Sequence, residues 1–172
     1  PGVWRRQGRG ARVVVRGPGD DPAAVAGAAA YAGVTTLVDV ALAVHGADCG
    51  IVALCSPEGA IGAAHAGWRG LEAGVIAVAV AAMRELGASR VEAVVGPCIG
   101  PECYEFGADR LAQLRVALGD EVAASTSWGT PAFDVPAALE SALTAADVEV
   151  VGRSGWCTAG SADQLWSYRA RH

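Results

Sequence analysis

Two short clusters hold the residue types best able to do chemistry. In Gly46-Ala47-Asp48-Cys49-Gly50 a thiol sits among small residues beside a carboxylate, where a tight turn would leave the sulfur open as a ligand or nucleophile. A cysteine in an apolar chain is by itself more often a small buried hydrophobe, so Cys49 needs a partner. In His65-Ala66-Gly67-Trp68-Arg69-Gly70 a histidine is followed by an aromatic ring and a guanidinium just ahead of a helical stretch. His65 can serve as base or metal ligand, Trp68 can stack on a flat ring, and Arg69 beside a helix start suits an anion such as phosphate. The rival reading is a packed tryptophan and a solvated arginine. With only three histidines in the chain and one of them in this setting, function is the stronger reading. Asp48 either orients the reacting group or caps a turn, and both roles stay open.

The elements that must position these clusters follow from apolar runs and their punctuation. Ala11–Arg16 (ARVVVR) predicts a strand ended by Gly17-Pro18-Gly19, and the Ala-dense stretch Asp21–Ala32 predicts a helix. Apolar runs from Val38 (VDVALAV), Gly50 (GIVALCS) and Ala60 (AIGAAHAG) predict three adjacent buried strands, with Cys49 at a strand junction and His65 at a strand end. His45 on the strand leading to Cys49 would lie roughly 13 Å from it, too far to share one metal ion. Leu71–Leu86 predicts a long buried helix with Gly87 as its cap. Arg90–Val95 predicts a strand leading into the turn GPCIGPECYEFG, followed by a helix over Ala108–Leu118 and a strand around Phe133. A helix over Val135–Ala146 and strands at Val148–Val151 and Leu165–Arg169 complete the chain. Strands and helices mixed without strict βαβ alternation predict an α+β layered domain.

Composition narrows the class. At 172 residues, with 52% hydrophobic and 18% charged residues, the chain has the make-up of one compact folded domain spanning residues 1–172. A net charge of -5 offers no basic surface for nucleic acid or anionic membrane, which leaves a small molecule or a protein as partner. No apolar run reaches membrane-spanning length, and the expectation is a cytoplasmic location. Five cysteines without a CxxC pair suit a reducing compartment better than a disulfide framework or zinc knot.

The ordered set Ala47-Asp48-Cys49, HAGWRG from His65, GPCIGPECYEFG from Gly96, Trp156-Cys157-Thr158 and Trp166-Ser167-Tyr168-Arg169 resembles the signature of the YfiH-like, laccase-domain family. The set is far more specific than any of its members, and the resemblance runs from about Trp4 to Arg169. It implies a mixed-sheet α+β sandwich with flanking helices, lacking here the family's N-terminal segment and last strand. It also implies activity on purine nucleosides, by phosphorolysis or adenosine deamination, with phosphate as a further small-molecule partner. The resemblance implies a zinc site of one cysteine and two histidines, whereas the family's older polyphenol oxidase label presumes copper. Cys49 and His65 match two of the three ligands, and such a soft donor set suits either metal.

The third ligand departs from the pattern. The family supplies it from a QVHG motif, and here the matching stretch is Gln7-Gly8-Arg9-Gly10. A guanidinium has no lone pair for a metal, so Arg9 either abolishes the site, leaving no cofactor, or turns to substrate. A fixed cation near Cys49 would instead favour the thiolate. The family's fold resembles that of the cytotoxic necrotizing factor deamidases, so a metal-free Cys49/His65 amidohydrolase is the alternative, and a non-catalytic small-molecule binder is the third reading. Tyr104 is expected to line the pocket, and Tyr168 and Arg169 to meet phosphate or carboxylate, although a strand-end arginine is often only solvated. Cys98 and Cys103 lack metal-ligand spacing and read as structural or pocket-wall residues, and Cys157 reads as packed.

Overall fold

The computed structural model describes residues 11–17, 20 and 30–172. Gln7–Gly10, and with it Arg9, lies outside the described residues, as does most of the predicted helix over Asp21–Ala32. The six-stranded sheet runs in the order β1-β2-β4-β3-β5-β8. Its strands are β1 (Val13–Arg16), β2 (Ala32–Thr35), β3 (Gly50–Cys55), β4 (Ile61–Ala66), β5 (Val91–Val95) and β8 (Val148–Arg153). The outer pairs β1/β2 and β5/β8 are parallel, and the central pairs are antiparallel. A second, two-stranded sheet pairs β6 (Ala123–Ser125) with β7 (Pro131–Phe133). With helices α1 (Trp68–Glu72), α2 (Val75–Glu85), α3 (Ala108–Leu118) and α4 (Val135–Ala145), this is the α+β layered architecture that the sequence predicts.

The core forms where two periodicities meet. On β3 the alternation buries Gly50, Val52 and Leu54, and on β4 it buries Gly62, Ala64 and Ala66. Helix α2 turns Val75, Ile76, Ala79, Val80 and Met83 inward, a one-sided apolar stripe. Helix and sheet approach so closely that a Cβ on Gly62 would lie 3.2 Å from the sulfur of Met83. Asp134 caps α4, its carboxylate accepting the Ala137 N–H at 2.8 Å, and Pro136 suits the first turn because it has no N–H to leave orphaned.

Four sequence expectations need correction. No strand forms over the VDVALAV run; Val38 is 96% exposed, and apolar character without a partner strand makes no ladder. The strand lies just before it, where Ala32–Thr35 is buried between β1 and β4. Because β2 starts at Ala32, the predicted helix cannot extend to that residue. The helix expected over Leu71–Leu86 is two helices, since Gly74 takes φ 75° and breaks the ladder between α1 and α2. Leu165–Arg169 is an irregular, bent segment and not a strand, and the Arg169 N–H is bonded to the Asp48 carboxylate and is not free for a strand partner.

Candidate active site at Cys49 and His65

The strand register brings the two clusters together. Gly50 pairs with Ala66 and Ile51 with His65, so Cys49 leaves the β3 ladder beside Gly67 and next to the His65 side of β4. A Cβ placed on Gly67 would lie 2.8 Å from Cys49 Sγ and 3.5 Å from His65 Cε1. Sulfur and imidazole therefore flank one point of the backbone, and only glycine leaves that point clear.

Asp48 holds the turn. It is buried and adopts φ 86°, a left-handed conformation that aspartate tolerates better than most residues. One carboxylate oxygen accepts the Thr158 hydroxyl at 2.7 Å, and the other accepts the Arg169 N–H at 2.7 Å. Its carbonyl accepts the Ile99 N–H at 2.8 Å. Of the two roles left open for Asp48, the turn-fixing one is visible: it ties three segments of chain beside Cys49.

Burial sets the charge states. It pushes the Cys49 thiol above its ordinary range, and the neighbouring Asp48 charge adds to the effect. That direction is opposite to the one a nearby cation would impose. Burial also pulls His65 below its usual value and favours the neutral imidazole. The ring of His65 stacks on Tyr31 at 5.5 Å, and its buried Nδ1 has no hydrogen-bond partner among the described residues. A buried ring nitrogen unpaired among the described residues, on a ring that meets the Cys49 sulfur at Gly67, fits a proton or a soft metal ion. These two donors fit part of a zinc or copper set, and a third ligand at the family position would fall at residue 9, outside the described residues.

A small cleft joins Cys49 and Asp48 to Gly67, Trp68, Ile99, Tyr104 and Val135. Burial, more than the nearby Cys49, raises the Tyr104 phenol above its ordinary value, with Arg169 opposing. The Arg169 guanidinium lies 5.1 Å from the centre of the Tyr104 ring, a ring that lines the cleft. Trp68 is already engaged: Arg69 and Arg110 lie 4.1 and 4.6 Å from its ring centre, and Phe106 meets it edge-on at 5.7 Å. Arg69 is exposed on a helix of only five residues. Tyr168 is 60% exposed and stacks on His172 at 4.4 Å, away from the residues that line the cleft.

Sequence reasoning missed Thr158 and Ile99, which act on Asp48 from far along the chain, and Arg110, which reaches Trp68 from α3. It also missed a group of three metal-capable side chains among the described residues, Glu102, Cys103 and Cys157. Only the HAGWRG and WCT stretches hinted at partners for Cys49, and spacing alone could not show which residues meet.

Comparison with known proteins agrees with this architecture. Residues 2–172 match the family model described as multi-copper polyphenol oxidoreductase laccase, and the chain belongs to that family, the YfiH-like group its motifs resemble. It is 43% identical over 171 residues to a protein of Streptomyces griseus named purine nucleoside phosphorylase, covering 97% of this chain and 68% of that one. It is 34% identical over 121 residues to a protein of an unknown prokaryotic organism named adenosine deaminase, covering 67% of this chain and 46% of the other. The solved structure of the Bacillus licheniformis hypothetical protein YfiH superposes with a TM-score of 0.83 at 24% identity, over 98% of this chain and 68% of that one, which establishes the fold. Among the described residues no helix is long and apolar enough to cross a membrane.

Proposed function

We propose that this chain is a single-domain purine-nucleoside enzyme, acting by phosphorolysis or adenosine deamination, with Cys49 and His65 at its reacting centre. The observation that carries the proposal is the convergence of the Cys49 sulfur and the His65 ring around Gly67, at a cleft walled by Tyr104, with His65 Nδ1 unpaired among the described residues. The names of the relatives support the choice of substrate. His65 accepts a proton or a ligand at a ring nitrogen, and Tyr104, protonated, donates a hydrogen bond from the cleft wall. Arg169 supplies positive charge for phosphate or a developing anion, Trp68 meets substrate from the cleft lining, and Arg9 and Arg69 serve as outer contacts, a role that Tyr168, turned to His172, does not share. Asp48 acts on Cys49 and Arg169 through the backbone that it fixes. Zinc, or copper, held by Cys49 and His65 would contribute Lewis acidity.

The metal-free amidohydrolase reading is weaker, because burial and Asp48 both favour the protonated thiol and not the thiolate that such a reaction uses. The deciding experiment incubates the purified chain with adenosine or inosine, with and without phosphate, after zinc supplementation and after chelation. Release of free base with phosphate, or of ammonia from adenosine, abolished in Cys49→Ala and His65→Ala, is expected. No turnover and no thermal shift with any purine nucleoside would end the proposal.

A further inference from the structure

Outside the cleft the turn Pro101–Cys103 meets the segment around Cys157, far along the chain. One ligand atom from each of Glu102, Cys103 and Cys157 lies within 4.8 Å of the other two. Ligands of a tetrahedral zinc ion stand roughly 3.5 Å apart, given metal–sulfur bonds of about 2.3 Å and metal–oxygen bonds of about 2.1 Å. Small side-chain rotations therefore suffice to close the group on an ion.

Three further features fit a metal thiolate. The Cys157 sulfur accepts the Gly100 N–H at 3.2 Å and the Gly160 N–H at 3.3 Å, amide donors that stabilise negative charge on sulfur. Burial, and after it a hydrogen bond with Cys157, push the Cys103 thiol up to about 11, so the two sulfurs meet while Cys103 keeps its proton until an ion displaces it. The backbone holds the segments together without any ion, through the bridge between Cys98 and Cys157 and the Thr158 N–H donated to the Cys98 carbonyl at 3.1 Å. Glu102 is exposed and both cysteines are half-buried, which leaves a side open to water as fourth ligand. Two thiols and a carboxylate are a soft, anionic set that suits Zn²⁺.

We propose that Glu102, Cys103 and Cys157 form a second metal site, of the zinc class, separate from Cys49 and His65. On binding, the Cys103 and Cys157 thiols release their protons to solvent and both sulfurs bond the ion, with no change of oxidation state. The site is next in sequence to Tyr104, which lines the cleft, and to Thr158, the partner of Asp48. The inference does not depend on the purine-nucleoside reading.

The test uses the full chain carrying Cys49→Ala and His65→Ala, which removes the donors of the first centre. After reduction, chelation and anaerobic exchange, Co²⁺ is titrated and followed by absorbance, then displaced with Zn²⁺. One equivalent with a thiolate-to-cobalt charge-transfer band and tetrahedral visible bands, lost on adding Cys103→Ser or Cys157→Ser, is expected. Glu102→Gln, a surface change, should keep the charge-transfer band and weaken affinity. Circular dichroism and thermal unfolding confirm that each variant is folded, and Cys55→Ser, at an exposed cysteine, is the control that should bind as the parent does. No charge-transfer band in the parent, or a band that survives both serine variants, overturns the proposal. So does a reduced parent that binds no cobalt while the unreduced protein shows a mass lower by two hydrogens, which would make the pair a disulfide.

Discussion

The two sulfur centres lie close together in this fold but are built differently. Cys49 stands at the end of a strand ladder with its turn locked by a buried carboxylate, and its partner His65 comes from the adjacent strand. Cys103 and Cys157 come from irregular segments, and what faces the Cys157 sulfur is backbone N–H. Sheet register thus gives the first centre its rigidity, while in the second two backbone amides point at the Cys157 sulfur. A reacting group benefits from the first arrangement and an ion from the second.

The largest expected effect is at the tether. Asp48→Ala leaves the Thr158 hydroxyl and the Arg169 N–H without their acceptor, and should cost about 3 kcal/mol in urea unfolding. Asp48→Asn, which tolerates the same backbone and keeps one acceptor, should cost less. Equal stability of Asp48→Ala and the parent would show that the first centre is not locked. Gly67→Ala forces a Cβ against the Cys49 sulfur and should cost about 2 kcal/mol while removing metal or nucleoside binding there. Retention of both would mean that the strands yield easily.

Acid sensitivity sharpens the same contrast at smaller size. The folded-state value of His65 lies below its ordinary 6.5, so below that pH the unfolded chain binds more protons than the folded one. Metal-free protein should therefore lose stability as pH falls through 6.5 and on towards the folded value, and His65→Gln should flatten that limb. Unfolding curves from pH 5 to pH 8 that are parallel for both proteins would contradict this, the range being about one to two units either side of an ordinary histidine. The smallest effect belongs to the second centre: in chelated protein, Cys103→Ser should change stability by no more than about 1 kcal/mol, the worth of one ordinary hydrogen bond. A loss several times larger would make the cysteine pair structural and not poised for an ion.

What the sequence by itself determined is local. The strands at Val13–Arg16, Gly50–Cys55 and Val91–Val95 and the helices at Ala108–Leu118 and Val135–Ala145 follow from apolar periodicity and turn residues that act within a few positions. The clusters around Cys49 and His65 were legible because their residue types are rare in this chain and lie at strand ends. The tertiary structure decided what depends on partners. Val38 and its neighbours are as apolar as a strand but have none to pair with, and the left-handed backbone at Gly74 splits a stretch that composition alone makes continuous. The carboxylate of Asp48 finds Thr158 and the Arg169 backbone, and Cys103 finds Cys157, across long stretches of chain. No local pattern encodes such meetings, because they are fixed only when sheet register and loop closure bring distant segments to the same point.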